Sequence, residues 1–427
     1  MGEGEVEGEV EGVVGVALAE VETGAEPDAV GLVVDAPGSP AQPARPSASS
    51  TPVVTTRRAV AGRVAAKVTR RRYGNPLRTS ECASGPSPST RREATDRGIR
   101  HNRRMPPLPV VLDVDTGVDD ACALLLAALN PGLDLRAVTC VGGNAPLADV
   151  VRNTLVVLQA AGRDDVPVGV GAARPLLEDP VDARHVHGDD GMADLGMPAP
   201  TLVPDPRTAL DLLRDTIDAA DAAGERLTVV PLAPMTNLAL LARVHPQAFA
   251  RIGRIVFMGG GVDISNATAA AEFNVFHDPE AAAIVLDACA QHCVPSTMYG
   301  LDVFYEPLVT DLQVDALREL DTPVAHLAAG LISFHHRRFA NAGATIGDAG
   351  AVGILLEPDA VRTRRLPVRV ELAGTWTRGR TVVDRRDWSG DLAHDPHGLA
   401  PAQVDVCLEI DGPRIADLWV RTVRGEA

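Results

Sequence analysis

Asp113, Asp115, Asp119 and Asp120 fall within eight residues, inside the stretch VVLDVDTGVDDACALLLAAL from Val110 to Leu129. Carboxylates this close repel one another, so something must offset the repulsion. Gly117 lets the chain turn sharply, and Asp119 and Asp120 then stand at the start of a helix, where the helix dipole favours negative charge. That accounts for two of the four. A hard divalent cation accounts for the rest, because Ca²⁺ takes roughly six to eight oxygen ligands, several of them carboxylates.

Three other segments carry groups of the same character. SNATAAAEFNVFHDPEAA places Asn266, Glu272 and Asn274 in a loop before a helix that begins near Pro279. Such side chains suit a polyhydroxylated ligand, since each can hydrogen-bond a hydroxyl. HVHGDDGMADLG sets His185 and His187 among glycines, as a lid over a site or as a surface loop. TIGDAGAVGILLEPD puts Asp348 before an apolar helix, which taken alone is a helix cap.

The elements around these residues alternate. LPVVLDVD reads as a buried strand, VDDACALLLAALN as a helix ending before Pro131, LDLRAVTCVGGN as a second strand, PLADVVRNTLVVLQAAG as a second helix and VPVGVGA as a third strand. RLTVVPLAPMTNLALLARV and RIGRIVFMGGG continue the pattern. The fold class is α/β: a Rossmann-like, largely parallel sheet with helices on both faces. Such sheets bind ligands beyond the carboxyl ends of their strands. Asp115, Asn144, Thr236 with Asn237, and Gly259 to Gly261 all fall at such ends.

Charge divides the chain. Residues 1–56 carry net −9, residues 57–104 carry net +11, and residues 105–427 carry net −19. The first segment holds an acidic repeat, GEGEVEGEVEG, and a Pro/Ser/Ala-rich run; the second holds RRAVAGRVAAKVTRRR. Neither has the apolar periodicity of a core, so residues 1–105 read as a disordered tail and 106–427 as the folded domain, which the resemblance given below makes the catalytic one. An acidic body disfavours nucleic acid and anionic membrane and points to a small molecule or a cation. No run of eighteen apolar residues occurs, and the acidic N-terminus is wrong for a signal peptide. The six cysteines form no CxxC pair, and reduced thiols in a cytoplasmic protein are the expectation.

Together the motifs resemble the inosine-uridine-preferring nucleoside hydrolases, from about Leu108 to Val423. The family's D-x-D-x-G-x-D-D appears as Asp113-Val-Asp115-Thr-Gly-Val-Asp119-Asp120, with Thr116 where Pro is usual. Gly143-Asn144, Arg152-Asn153, His187-Gly-Asp-Asp-Gly191, Pro234-Met-Thr236-Asn237, Met258-Gly-Gly260 and the segment from Asn266 to Ala281 match its other motifs in order. The resemblance implies that Asp115, Asp120, the Thr236 carbonyl and Asp348 bind Ca²⁺. It implies that Asp119, Asn274 and Asp348 hold the ribose 2′ and 3′ hydroxyls, and that Asn266 and Glu272 hold the 5′ hydroxyl. Asn144 would contact the ribose or the water, Asp115 would be the general base, and His187 would lie near the nucleobase. The substrate would be a nucleoside or related riboside, and the protein a homodimer or homotetramer.

Two other readings compete. Haloacid-dehalogenase-like phosphatases share a strand followed by Asp-x-Asp-x-Gly, but they use a later lysine, and no lysine follows Lys67. A nucleoside- or ribose-binding homologue without turnover is the second. It is motivated by Gly347, which stands where the family usually has the histidine that protonates the leaving base.

Overall fold

The computed structural model describes residues 106–339, 343–387 and 400–427. They all lie in one compact unit, Ser80–Ala427. The tail expected to be disordered, residues 1–105, lies outside the described residues.

The described residues form eleven strands: β1 Leu108–Val114, β2 Leu133–Cys140, β3 Val168–Val170, β4 Thr228–Pro231, β5 Arg254–Met258, β6 Ser296–Tyr299, β7 Leu308–Val309, β8 Ala344–Thr345, β9 Val361–Val370, β10 Thr381–Val383 and β11 Ala402–Ile410. Nine make one sheet in the order β10-β9-β11-β6-β5-β4-β1-β2-β3, and β7 pairs with β8. From β3 to β11 every neighbouring pair is parallel. β9 and β10 extend the far edge antiparallel, an addition that the strand-helix alternation did not announce.

Strand periodicity sorts side chains between two cores. Val110, Leu112 and Val114 of β1 enter one cluster, and Val111 enters the other. The first cluster takes helices Val118–Leu129, Leu147–Ala160, Pro323–Phe339, Ala349–Leu356 and Gly412–Val423; the second takes Ala209–Ala222, Thr236–Val244 and Pro279–His292. Helix Val118–Leu129 is apolar on every side and accordingly buried nearly throughout. Trp419, fully buried, donates its Nε1–H to the Cys122 carbonyl at 2.8 Å and fixes the C-terminal helix to it.

The chain runs β1, β2, β3 toward one edge and then returns to place β4 on the other side of β1. β1 is therefore the point where strand order reverses, and a crevice opens beyond its carboxyl end. The aspartates occupy that end.

Candidate functional site

Gly117 turns the chain from β1 into helix Val118–Leu129, and it must be glycine for reasons of space. A Cβ there would lie 2.7 Å from His187 Nδ1 and 2.8 Å from Asn144 Nδ2. Asp120 caps the new helix: its Oδ2 accepts the Gly117 N–H at 2.9 Å and its Oδ1 the Asp115 N–H at 3.2 Å. Asn144, at the end of β2, binds both carboxylates. Its backbone N–H donates to Asp115 Oδ2 at 2.7 Å, and its side-chain Nδ2 lies 3.1 Å from Asp115 Oδ1 and from Asp120 Oδ2.

A second helix N-terminus meets the first. Asp348 stands at the start of Ala349–Leu356, and oxygens of Asp119, Asp120 and Asp348 all lie within 4.8 Å of one another. Among the described residues no arginine forms an ion pair with Asp115, Asp119, Asp120 or Asp348. Burial is the main reason that the Asp115 and Asp348 carboxyls sit well above the usual range, with repulsion from neighbouring aspartates second. Asp120 is pushed up to about 7 by burial and then by Asp119. Clustered, buried oxygen donors without a counter-charge fit a hard divalent cation, which would replace that repulsion with attraction.

Asp113 lies one turn of the pleat below. Its Oδ1 accepts from the Thr139 hydroxyl at 2.6 Å and the Asn237 amide at 2.8 Å, while its Oδ2 is buried and unbonded. Burial raises it to about 7 against those two bonds. Asn237 also reaches the Cys140 carbonyl and the Ala172 N–H, so it joins the ends of β1, β2 and β3. Its neighbour Thr236 is engaged elsewhere. The hydroxyl donates to Asp278 Oδ2 at 2.7 Å, and the residue opens helix Thr236–Val244. No hydrogen bond among the described residues joins Thr236 to the carboxylate cluster. Asp278 was not singled out in the sequence, although Asp-Pro before a helix is a cap signal; it also accepts the Ala281 and Leu176 N–H groups.

Glu272 and Asn274 are buried beside β5. Glu272 caps the short helix Phe273–His277, accepting the Asn274, Gly260 and Val275 N–H groups at 2.8, 2.8 and 3.1 Å. Burial lifts its carboxyl to about 7 even so. Asn274 commits its Nδ2 to the Leu232 carbonyl at 2.8 Å and to Met258, which leaves its Oδ1 as an acceptor. Asn266 is exposed in its loop, and its Oδ1 takes the Phe273 N–H.

His187 closes the other side. It is 4 % exposed, and its Nδ1 accepts the Val118 N–H at 3.2 Å, so the ring proton belongs on Nε2. Asp119 Oδ1 lies 3.7 Å from the same nitrogen. Burial holds the imidazole down to about 4, despite Asp119. The segment after it is anchored: Asn153 donates to the Asp190 carbonyl at 2.9 Å and Arg152 to the Met197 carbonyl at 2.8 Å. His335 lies in SFHHRRF, a charged stretch with the look of a solvated helix end. Instead it is buried, with its ring 6.2 Å from that of His187, Nδ1 3.5 Å from the Thr345 carbonyl and Nε2 unbonded. Its neighbour His336 turns outward to Asp311.

Gly347 has φ +47°, and a Cβ there would lie 2.5 Å from Phe304 Cζ and 2.8 Å from Asp119 Cβ. Phe304 fills the space that a side chain at this position would need. The departure from the family pattern is thus built into the packing.

The family model for inosine-uridine preferring nucleoside hydrolases matches residues 110–417. The pyrimidine-specific ribonucleoside hydrolase RihA of Escherichia coli (strain SMS-3-5 / SECEC) is 38% identical over 282 residues, covering 65% of this chain and 88% of its own. Among solved structures, the purine-preferring ribonucleoside hydrolase from Gardnerella vaginalis aligns with TM-score 0.66 and 29% identity, covering 74% of this chain and 98% of its own. An inosine-guanosine nucleoside hydrolase aligns with TM-score 0.67 and 27% identity over the same shares.

Proposed function

The chain belongs to the inosine-uridine preferring nucleoside hydrolase family, and from that premise we propose a Ca²⁺-dependent ribonucleoside hydrolase that prefers pyrimidines. The observation that carries the metal is the convergence of Asp119, Asp120 and Asp348 at two helix N-termini, with Asp115 held beside them by Asn144. Asp115, Asp120 and Asp348 would hold the ion; Thr236 has only its carbonyl left to offer it. A bound Ca²⁺ would supply Lewis-acid activation of water and a template for ribose hydroxyls.

This chain's own groups do the rest. Asp115 takes the proton of the attacking water as general base. Asn144, bonded to both Asp115 oxygens, fixes that carboxylate in one orientation. Asp119, Asp348 and the free Oδ1 of Asn274 hold the 2′ and 3′ hydroxyls, and Asn266 and Glu272 hold the 5′ hydroxyl. Cleavage of the N-glycosidic bond develops positive charge on the ribosyl ring, and the surrounding carboxylates stabilise it. His187, neutral with its proton on Nε2, donates a hydrogen bond toward the departing base. The pyrimidine preference rests on the greater identity to the pyrimidine-specific relative than to the purine-preferring structures.

Binding without turnover is the second reading, and the closed space at Gly347 favours it. Reducing-sugar release from uridine, cytidine and inosine, before and after chelation, separates the two. The expected result is pyrimidine turnover that falls on chelation and returns with Ca²⁺, with one Ca²⁺ per chain by elemental analysis. Full-rate hydrolysis by calcium-free protein sinks the metal role, and no release from any nucleoside favours the binding reading.

A further inference from the structure

The loop after β5 crosses the carboxyl end of the sheet, and each of its N–H groups from Gly259 to Asp263 has a partner. The Gly259 N–H donates to the Tyr299 carbonyl at 3.3 Å, and the Gly260 carbonyl accepts the Leu301 N–H at 3.0 Å. The Val262 and Asp263 N–H groups donate to the Asp302 carboxylate at 2.6 and 2.9 Å. The Gly260 N–H donates to Glu272 Oε2 at 2.8 Å. Gly261, buried, commits both of its backbone groups to one hydroxyl. Its N–H donates to Thr381 Oγ1 at 3.0 Å, and that hydroxyl donates to its carbonyl at 2.7 Å. Thr381 is buried too, and its methyl rests on Gly260, where a Cβ would lie 2.5 Å from Thr381 Cγ2. It opens β10, the edge strand, and pairs there with Val370 of β9, so the sheet fixes the backbone that carries the hydroxyl.

We propose that Thr381 is a positioning residue for the 5′-hydroxyl end of the riboside site, a role that rests on Glu272 holding that hydroxyl. Two of the three hydrogen bonds to Glu272 come from Asn274 and Val275, in the short helix that it caps. The third, from Gly260, is the one that ties the carboxylate to the sheet. Thr381 fixes the residue next to that donor. Without its hydroxyl, the Gly261 N–H and carbonyl would be buried and unbonded, a state that backbone groups rarely keep. The loop must shift to satisfy them, and the Gly260 N–H shifts with it. Asn266 lies further along the same segment and moves in the same sense. The rest of the site is insulated. Asp115 and Asp120 draw their bonds from β1, the turn after it and Asn144, and Asn274 bonds Leu232 and Met258, which precede the loop. The antiparallel edge thus reaches the site through one side chain that touches no substrate.

Uridine and 5′-deoxyuridine differ only in the hydroxyl concerned. The quantity to measure is the ratio of their kcat/KM values, or of their dissociation constants should the protein bind without turnover. Wild type is expected to favour uridine by about tenfold or more, the size of one hydrogen bond. Thr381→Val keeps the shape and the branching at Cβ but removes the hydroxyl. Its ratio should fall to about two, through loss on uridine alone. Thr381→Ser keeps the hydroxyl and should keep the wild-type ratio. Should Thr381→Val fail to fold, Thr381→Cys, close in size and with a thiol that bonds far more weakly, takes its place with the same expected ratio. Equal loss on both ribosides in Thr381→Val would mean a merely structural role and overturns the proposal, as does a collapsed ratio in Thr381→Ser. A wild-type ratio near one removes Glu272 as the 5′-hydroxyl group and this proposal with it. A wild-type preference that survives intact in Thr381→Val overturns the role of Thr381 alone.

Discussion

On the carboxylate side of the site, Asp115, Asp120 and Glu272 draw their hydrogen bonds from backbone amides and from Asn144. On the imidazole side, His187 has one amide partner, Val118, and His335 has a long contact to a carbonyl and an unbonded Nε2. The first arrangement is the more heavily bonded: Asp120 and Glu272 each accept three hydrogen bonds and Asp115 two, so one lost bond leaves others in place. The second hangs on single contacts, from His187 to the start of helix Val118–Leu129 and from His335 to β8. Groups fixed by many backbone bonds keep their geometry through sequence change, whereas those fixed by one can be rebuilt. Gly347 with Phe304 is an instance of such rebuilding on the imidazole side.

The sharpest way to break this contrast is Asp115→Asn. Asparagine preserves the volume and can still accept the Asn144 N–H, so the fold should hold. It cannot take a proton, and kcat should fall on the order of 10²–10⁴ or more, the range for losing acid–base help. Steady-state kinetics on uridine, with circular dichroism as the fold control, checks it. Activity within about threefold of wild type, far inside that range, removes Asp115 as the base.

The same contrast explains what could be read from the chain. The β1 turn and the place of Asp119 and Asp120 at a helix start are legible because strand, glycine turn and helix start lie within a dozen residues and follow local rules, whereas the bonds from Asn144 to Asp115 and Asp120 join separate elements and were not read. The approach of Asp348 to Asp119 across more than two hundred residues was reached through motif resemblance, since no local pattern encodes it. Burial of His335 is hard to read because its flanking arginines and second histidine look solvated, while helix periodicity turns His335 inward. The Thr236 hydroxyl was invisible because its partner, Asp278, lies on another element. The antiparallel β9 and β10 went unread because their exposed arginine-rich alternation lacks the apolar run of a buried strand.

A smaller effect tests the imidazole side. With the Val118 N–H on Nδ1, His187 acts as a neutral donor, and that role needs an N–H rather than a titrating ring. His187→Ala should lower kcat/KM for uridine by about 10- to 100-fold, toward the lower end of hydrogen-bond and acid contributions. His187→Gln, whose amide also offers an N–H, should recover a good part of the loss. Equal activity in the two variants would show that the N–H does nothing there, and a pH–rate limb near the ordinary histidine pKa in wild type would show a charged acid instead.

The smallest effect reads both sides at once, because their groups titrate in opposite senses. Asp113, Asp120 and Glu272 are raised to about 7, and Asp115 and Asp348 are raised well above the ordinary carboxylate value, all chiefly by burial. In metal-free protein these hold protons in the folded state that the unfolded chain releases near pH 4. Stability therefore falls as pH rises from about 4 through 7. His187 and His277, lowered to about 4, and His335, also lowered, work the other way: the unfolded chain binds their protons first, so stability rises with pH up to about the ordinary histidine value. Five carboxyls oppose three imidazoles below that value, and above it the carboxyls act alone. The chelated protein should thus lose several degrees of Tm between pH 5 and 7.5, with the steeper part in the upper half. Added Ca²⁺ favours the ionised carboxylates and should flatten or reverse the slope, leaving the imidazole contribution exposed. Differential scanning fluorimetry across pH, with chelator and with Ca²⁺, makes the measurement. A chelated Tm that climbs steadily from pH 5 to 7.5 would mean that the carboxylate cluster is already neutralised without the ion, and that the repulsion between Asp119, Asp120 and Asp348 is not what the cation relieves.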